Sequence, residues 1–302
     1  MHYTHSGGEC ECGSRSKQGG PDDGSAILLH MKSALIMMGG GMRSAHGAGF
    51  LDALQRDFAR TPDILIGTSG NSGNVCYFTA GQTEALRAIW CDLMPRLRIA
   101  NPWRLWKVFD VDSLVRSIFE EMPLDLSAIE QSPIDLLIPV TDAETGDTTY
   151  RRPTRLDAAQ VLRAAMAIPV LYGRRIYIGG RPLIDGEVGP ALEDHVSEAM
   201  QRGATRILVV NHGWPDNALR LALKHVVARL EPHGLRVHMQ HDFAAQNFVC
   251  MTGPAGVRVS CIFPTDVPAR FIERSPSRLA QTIDAGRSCA HEHVAEIEAT
   301  FG

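Results

Sequence analysis

The chain has 302 residues, 44% of them hydrophobic, with a net charge of −4 and a sequence pI of about 6.3. That is enough apolar material for a sizeable core, and one α/β domain of this length is ordinary. The charge leaves no basic footprint for a nucleic-acid partner, and no apolar run approaches the ~20 residues of a spanning helix.

Residues 1 to 30 are polar and glycine-rich, with Pro21-Asp22-Asp23-Gly24 near their end. They cannot bury enough apolar surface to offset the entropy of ordering, so a disordered tail is expected there and a folded unit over residues 31 to 302. The tail lacks the apolar core of a secretory signal. The expectation is a cytoplasmic protein, peripheral membrane contact and signal-independent export being left open. Cys10 and Cys12 lie in this tail, near His2 and His5, without a folded loop to make a metal clip. The seven cysteines, an odd number, read as reduced and mostly buried thiols.

The folded part alternates two patterns. Residues 34 to 38 (Ala-Leu-Ile-Met-Met) form a short apolar run before glycines, as a buried parallel strand would. A helix is expected over about 45 to 59, a strand over 63 to 66, and a helix from about Gly70 to Ala80, stopped by Gly81. Residues 94 to 109 are irregular. Further strands are expected at 135 to 140, 175 to 178, 206 to 211 and 257 to 262. Further helices are expected at 157 to 167, 191 to 202, 217 to 230 and 275 to 299, the last with Ser275 as N-cap and Pro276 at the first helical position. Strands alternating with helices predict an α/β layered fold with a mainly parallel sheet.

Three motifs carry chemistry. Gly67-Thr68-Ser69-Gly70 follows an apolar strand directly, the layout of a nucleophile elbow. A tight turn would present the serine Oγ at the carboxyl edge of the sheet, with the next helix aiming its N-terminal amides at developing negative charge. Asn71 stands where Gly-x-Ser-x-Gly requires its last glycine; the bland alternative is a simple turn. Gly39-Gly40-Gly41-Met42-Arg43 follows the first strand, and its bare amides suit an oxyanion. Losing one such donor typically costs on the order of 3 kcal/mol. A dinucleotide loop fails because Ser44 replaces the last glycine of Gly-x-Gly-x-x-Gly, and no Gly-Lys-Ser/Thr ending exists for a nucleotide loop. Arg43 is read as structural or anion-orienting, against the alternative of plain surface charge. Leu183-Ile184-Asp185-Gly186 closes an apolar run with an acid, or is only an Asp-Gly turn.

In this order the three motifs resemble the patatin-like phospholipase family. The likeness extends to His46-Gly47, to residues 49 to 54 (Gly-Phe-Leu-Asp-Ala-Leu), to Asn74 and Ala80-Gly81, to Thr141-Asp142-Ala143-Glu144-Thr145-Gly146, and to residues 162 to 169. It runs from about residue 33 to 211. The resemblance implies a three-layer α/β/α fold and a lipid or phospholipid ester as substrate. It implies a Ser-Asp dyad working through an acyl-enzyme, with Ser69 as nucleophile and Asp185 as base. Gly39, Gly40 and Gly41 would form the oxyanion hole, supported by Arg43, Gly67, Gly70 and Gly186. Ser44, Gly70-Asn71 and Glu187 depart from the family pattern and touch the catalytic turns themselves.

Two alternatives stand beside this. A Ser-His-Asp hydrolase has twelve histidines to draw on, among them His195, His212 and His225. A patatin-like protein that binds lipid or a partner without hydrolysis would suit the departures. His46, a lone histidine near the glycine loop, reads as a packed or capping residue. No metal and no cofactor are expected. Trp103 and Trp106, three apart and flanked by Arg104 and Lys107, would share one face of a helix. That face suits a lid or peripheral membrane contact, or else packs on the core.

Overall fold

The strand β1 (Lys32–Met37) lies in the middle of the sheet, with β2 (Ile64–Gly67) on one side and β7 (Ala204–Val210) on the other, both parallel to it. Both of its faces are covered, which is why its sequence is a near-continuous apolar run. Leu35 and Met37 belong to one cluster of the core, while Ala34, Ile36 and Met38 belong to the other. The computed structural model describes residues 31–104, 107–169, 171–189, 192–212, 236 and 256–302. The expected tail, the helix expected over 217 to 230, His225 and Trp106 lie outside these.

Among the described residues the order is β5-β6-β3-β2-β1-β7-β8, with β4 added to β3. Here β3 is Asp135–Asp142, β4 Thr148–Arg151, β5 Ile176–Ile178, β6 Arg181–Asp185 and β8 Arg258–Ile262. Four of the seven pairings are parallel; β4, β5 and β6 form an antiparallel flank. Gly179 and Gly180, with φ of 60° and 80°, make the two-residue turn of the β5–β6 hairpin.

Helices cover both faces. The apolar side of α1 (Ala45–Arg56) and of α2 (Asn71–Thr79) joins one cluster, and that of α8 (Leu192–Gln201) joins the other. Between them in the chain come α3 (Glu84–Ala88), a π-helical turn Ile89–Leu93, α4 (Met94–Arg96), α5 (Val111–Glu120), α6 (Leu126–Gln131) and α7 (Ala158–Ala165). Near the end come α9 (Pro276–Glu292) and α10 (Val294–Phe301). The expected single helix over 275 to 299 is therefore two, because His293 leaves helical geometry at φ −108°, ψ 31°. Its start is as expected: Ser275 Oγ accepts from Arg278 N behind Pro276. Helix α1 stops short of residue 59 because Ala59 turns left-handed at φ 50°.

Helices α1 and α9 cross at backbone contact. A Cβ at Gly49 would sit 1.9 Å from Ile283 O, and one at Gly286 would sit 1.9 Å from His46 O. Two glycines thus allow the site-bearing helix to press against the last long one.

The described residues of 97 to 109 are not helical; Trp106, the other tryptophan of the expected face, lies outside them. Ala100 bridges Phe109 antiparallel, and Asn101 Oδ1 accepts the Trp103 amide at 3.1 Å. An Asn side chain competing for a local amide, next to Pro102, favours a turn over a helix. Trp103 is 84% exposed, so packing on the core is excluded for it.

Candidate active site

Register brings the motifs to one edge. Met37 pairs with Gly67 and with Val210, so the residues following β1, β2 and β7 emerge together at the carboxyl edge. Ile66 pairs with Leu137, and Val140, three residues further along β3, pairs with Asp185. Three residues beyond Ile66 is Ser69, so the antiparallel β6 delivers Asp185 level with the serine. Gly186 closes that turn where a Cβ would meet Pro139 O at 2.1 Å.

Ser69 sits at φ 48°, in the left-handed region that a non-glycine residue occupies only when its surroundings impose it. Gly67 before it packs on Val75, where a Cβ would lie 2.3 Å from Cγ2. Asp185 is buried, 1% exposed. Its Oδ1 accepts the Glu187 amide at 2.9 Å, and its Oδ2 is without a partner in full hydrogen-bond geometry. Burial pushes the carboxyl up to about 7; the Glu187 amide and the Ser69 hydroxyl, a hydrogen-bonding neighbour, both pull it down. Serine and carboxyl are thus adjacent, with one carboxylate oxygen still open to a proton.

The three glycines differ in what their amides do. Gly39 N donates to Thr68 Oγ1 at 2.7 Å, so that amide is already committed. This corrects the expectation that all three are oxyanion donors. The amides of Gly40, Gly41 and Gly70 make no hydrogen bond among the described residues. Gly41 takes φ 59°, which turns the chain sharply beneath Ser69. Arg43 is 4% exposed and not surface charge; its cation lies near enough to His46 and His212 to disfavour their protonation.

Beneath the loop runs a chain of buried polar groups that residue-by-residue reading did not assemble. Trp90 Nε1 donates to Asn74 Oδ1 at 2.9 Å, and Asn74 Nδ2 donates to Asn71 Oδ1 at 2.7 Å and to Ser44 O at 2.8 Å. Asn71 Nδ2 donates to Met38 O at 2.7 Å. His212 Nδ1 reaches the same carbonyl at 2.9 Å, and its Nε2 lies 3.0 Å from His46 Nδ1. One proton arrangement satisfies these contacts: His212 donates from Nδ1 and accepts at Nε2 from His46. Burial lowers His212 to about 4 and His46 to about 2, so both rings are neutral at pH 7. The carbonyls of Met38 and Ser44 bracket the glycine loop, so this chain holds it from both ends. His195, the other described triad candidate, is bonded to Tyr150 Oη at 2.8 Å and packs with α8.

The departures from the family pattern fit one another. A Cβ at Gly70 would meet Ser44 Oγ at 2.7 Å, so the bulk missing at 70 is supplied by Ser44. Asn71 packs on Gly47, where a Cβ would lie 2.2 Å from Oδ1. Glu187 Oε2 lies 2.0 Å from a Cβ built on Gly39, on the side facing Ser69.

A cavity opens beside Ser69, Gly41 and Gly70, walled by apolar side chains of the π-helical turn, α4 and α5 and by Met166 and Ile168 just beyond α7. The larger hollow, about 550 Å³, is an open charged dish along α9 lined by Asp284, Arg287 and His291, and includes no site residue. Among the described residues no cluster of three or more His, Cys, Asp or Glu fits a metal ion, and no helix is long and apolar enough to cross a membrane. No disulfide joins the described cysteines, Cys76, Cys91, Cys261 and Cys289.

Known proteins bear on this arrangement. The uncharacterized protein YjjU of Escherichia coli (strain K12) is 27% identical over 183 residues, 59% of this chain and 51% of its own length. The chain therefore spans about half the length of that relative. The crystal structure of VipD from Legionella pneumophila matches at a TM-score of 0.43 and 11% identity, covering 89% of this chain and 67% of that one. The patatin-like phospholipase family matches over residues 35–192, which is more than half of the chain and contains every motif described above. The chain belongs to the patatin-like phospholipase family.

Proposed function

We propose that the protein is a lipid acyl hydrolase that cleaves a carboxylic ester through a Ser69–Asp185 dyad, within a catalytic unit of residues 31 to 302. The observation that carries this is the strained Ser69 beside a buried carboxyl whose Oδ2 has no partner in full hydrogen-bond geometry and is left to face the serine hydroxyl. As Ser69 Oγ attacks the ester carbonyl, Asp185 takes its proton. The negative charge on the tetrahedral oxygen is met by the free amides of Gly40, Gly41 and Gly70. Collapse returns the proton from Asp185 to the leaving alcohol and leaves the acyl group on Ser69. Water then attacks with Asp185 again as base, which releases the acid.

His46, His195 and His212 each turn a nitrogen to one another, Tyr150 or Met38, and His291 and His293 bond to Asp57 and the Cys289 carbonyl; no described histidine is bonded to Ser69 or Asp185, which supports the dyad over a triad. Exposed Trp103, beside Arg104 and Lys107, supports a peripheral contact with lipid. A fluorophosphonate ester should label the protein and fail to label Ser69→Ala, and a panel of lipid esters should be hydrolysed only by the wild type. Equal labelling of both proteins would overturn the assignment. A properly folded wild type that is inert in both assays would instead favour the non-hydrolytic, lipid-binding reading.

A further inference from the structure

Ser69 stands between two chemically different flanks. On one lies the apolar cavity, which touches Ser69, Gly41 and Gly70. On the other lie Gly39, Asp185 and Glu187, none of which lines that cavity. Glu187 is a departure from the family pattern, and the turn that buries Asp185 carries it past the glycine loop. A Cβ built on Gly39 would lie 2.0 Å from Glu187 Oε2 and 2.5 Å from Ser69 Cβ, so the carboxylate and the serine side chain crowd the same point. Asp185 is buried, whereas Glu187 is only half-buried and meets whatever binds on that side of the serine.

We propose that Glu187 is a specificity residue: it selects esters whose alcohol half carries a positive charge close to the ester oxygen, such as an ammonium group, and turns away those with a negative charge there. This rests on Ser69 being the nucleophile. The reason is electrostatic. An oxyanion forms next to Ser69 Oγ in the transition state, and a carboxylate beside it opposes that charge. Charges about 4 Å apart interact several times more strongly where water is partly excluded than in bulk water. Asp185 is neutral once it has taken the serine proton, so Glu187 is the carboxylate that remains on this flank. On a neutral ester it therefore slows the reaction. A cation on the substrate reverses the sign, because it attracts both the carboxylate and the oxyanion. The apolar flank holds no charge for such a group, so the charged half of the ester turns to Glu187. An anion on the alcohol meets like charge and is rejected, which is how a site discriminates by repulsion. The selection depends on the sign of the charge at this flank and not on an unengaged carboxylate, since Glu187 has a polar contact of its own within the fold.

The test uses three esters of one acid with alcohols of similar size: choline (cationic), dimethylbutanol (neutral) and hydroxyethanesulfonate (anionic). For the wild type, kcat/KM should fall by about tenfold or more from the choline ester to the dimethylbutyl ester, and again to the sulfonate. Glu187→Gln keeps the size of the side chain and the main-chain amide that Asp185 Oδ1 accepts. In that variant, checked for folding by circular dichroism, both ratios should shrink to within about threefold. If it does not fold, Glu187→Ala replaces it, and the wild-type series decides by itself in either case. A wild type that does not prefer the cation overturns the proposal. So does a folded variant that keeps the wild-type ratios, or one that loses all three esters equally. Ser69→Ala on the same esters separates the two readings. Inactivity on all three leaves the nucleophile standing whatever the ratios, whereas continued hydrolysis overturns both.

Discussion

The two faces of the sheet both bury histidine, and they do so differently. On the face of α8, His195 is 0% exposed, is bonded to Tyr150, and belongs to a local pair that ends there. On the other face, His46 and His212 are equally buried but are links in a chain that runs through Asn71 and Asn74 to Trp90. Burial lowers His195 and His212 alike, to about 4, so desolvation does not distinguish them. What distinguishes them is what their partners hold. The pair on the α8 face links a strand to a helix, while the chain on the other face fixes the carbonyls on either side of the glycine loop. Buried polar groups are costly when half-satisfied. A protein that spends several of them at one edge gains a loop with a single conformation, which an oxyanion site requires.

This contrast can be broken experimentally, beginning at the edge itself. Asp185→Asn should lower kcat by at least about 10³-fold while the protein stays folded. In the wild type, kcat/KM should rise with pH with a midpoint near the Asp185 value of about 7, since the base must be ionised. The same substitution should change stability with the opposite sense. The folded carboxyl, at about 7, lies above its ordinary 3.8, so the folded state holds a proton that the unfolded chain has released. That contribution is complete below pH 4 and is lost as pH rises through 7. The neutral amide of the variant carries no such dependence, so the variant's advantage in thermal melts should grow between pH 4 and 7 and level off above pH 8. It should reach on the order of 4 kcal/mol. A variant no more stable than wild type at pH 8 would sink the buried-charge account.

Asn71→Ala tests the chain. It removes the Asn71 bond to Met38 O and takes away one of the two acceptors of Asn74 Nδ2, leaving only the Ser44 carbonyl. We expect kcat to fall roughly 10- to 100-fold, because a loop displaced by about an ångström misplaces its donors, with KM little changed. An equal rise in KM would show that the chain shapes binding rather than the oxyanion site. Gly286→Ala is a purely steric probe on the same face. Its Cβ would meet His46 O at 1.9 Å, so α1 and α9 must separate at about 1–3 kcal/mol in chemical denaturation. The smallest effect belongs to the α8 face. Tyr150→Phe removes the partner of His195 and should cost about 1 kcal/mol of stability with kcat unchanged. Loss of activity in that variant would erase the contrast between the faces.

Much of this architecture is written locally. The apolar run of β1, the small residues of the elbow, the three glycines and the Ser275-Pro276 helix start each follow from short-range sterics and hydrogen bonding, and each is legible residue by residue. The antiparallel flank is not. The strand at 175 to 178 is legible as β5, but four-residue β4 is too short and too polar to show periodicity, and only pairing with β3 and β6 makes the flank antiparallel. The turn at Trp103 escapes a reading by spacing, because three-residue spacing suits a helix while the Asn101 side chain prefers the local amide.

At the site, the sequence by itself determined which residues could do chemistry: Ser69, Asp185 and the glycines, each in its motif, in an order that matches the family. It also exposed the departures at Ser44, Asn71 and Glu187 as departures. Only the tertiary structure decided what they mean. Ser44 fills the space left by Gly70, Asn71 packs against Gly47 while tying down Met38 O, and Gly39 gives its amide to Thr68. It also brought His212, from the far end of β7, under a loop that lies 174 residues earlier in the chain at Met38. The reason is physical: a motif is set by the geometry of a few consecutive residues, whereas compensation between side chains depends on which segments the sheet places side by side.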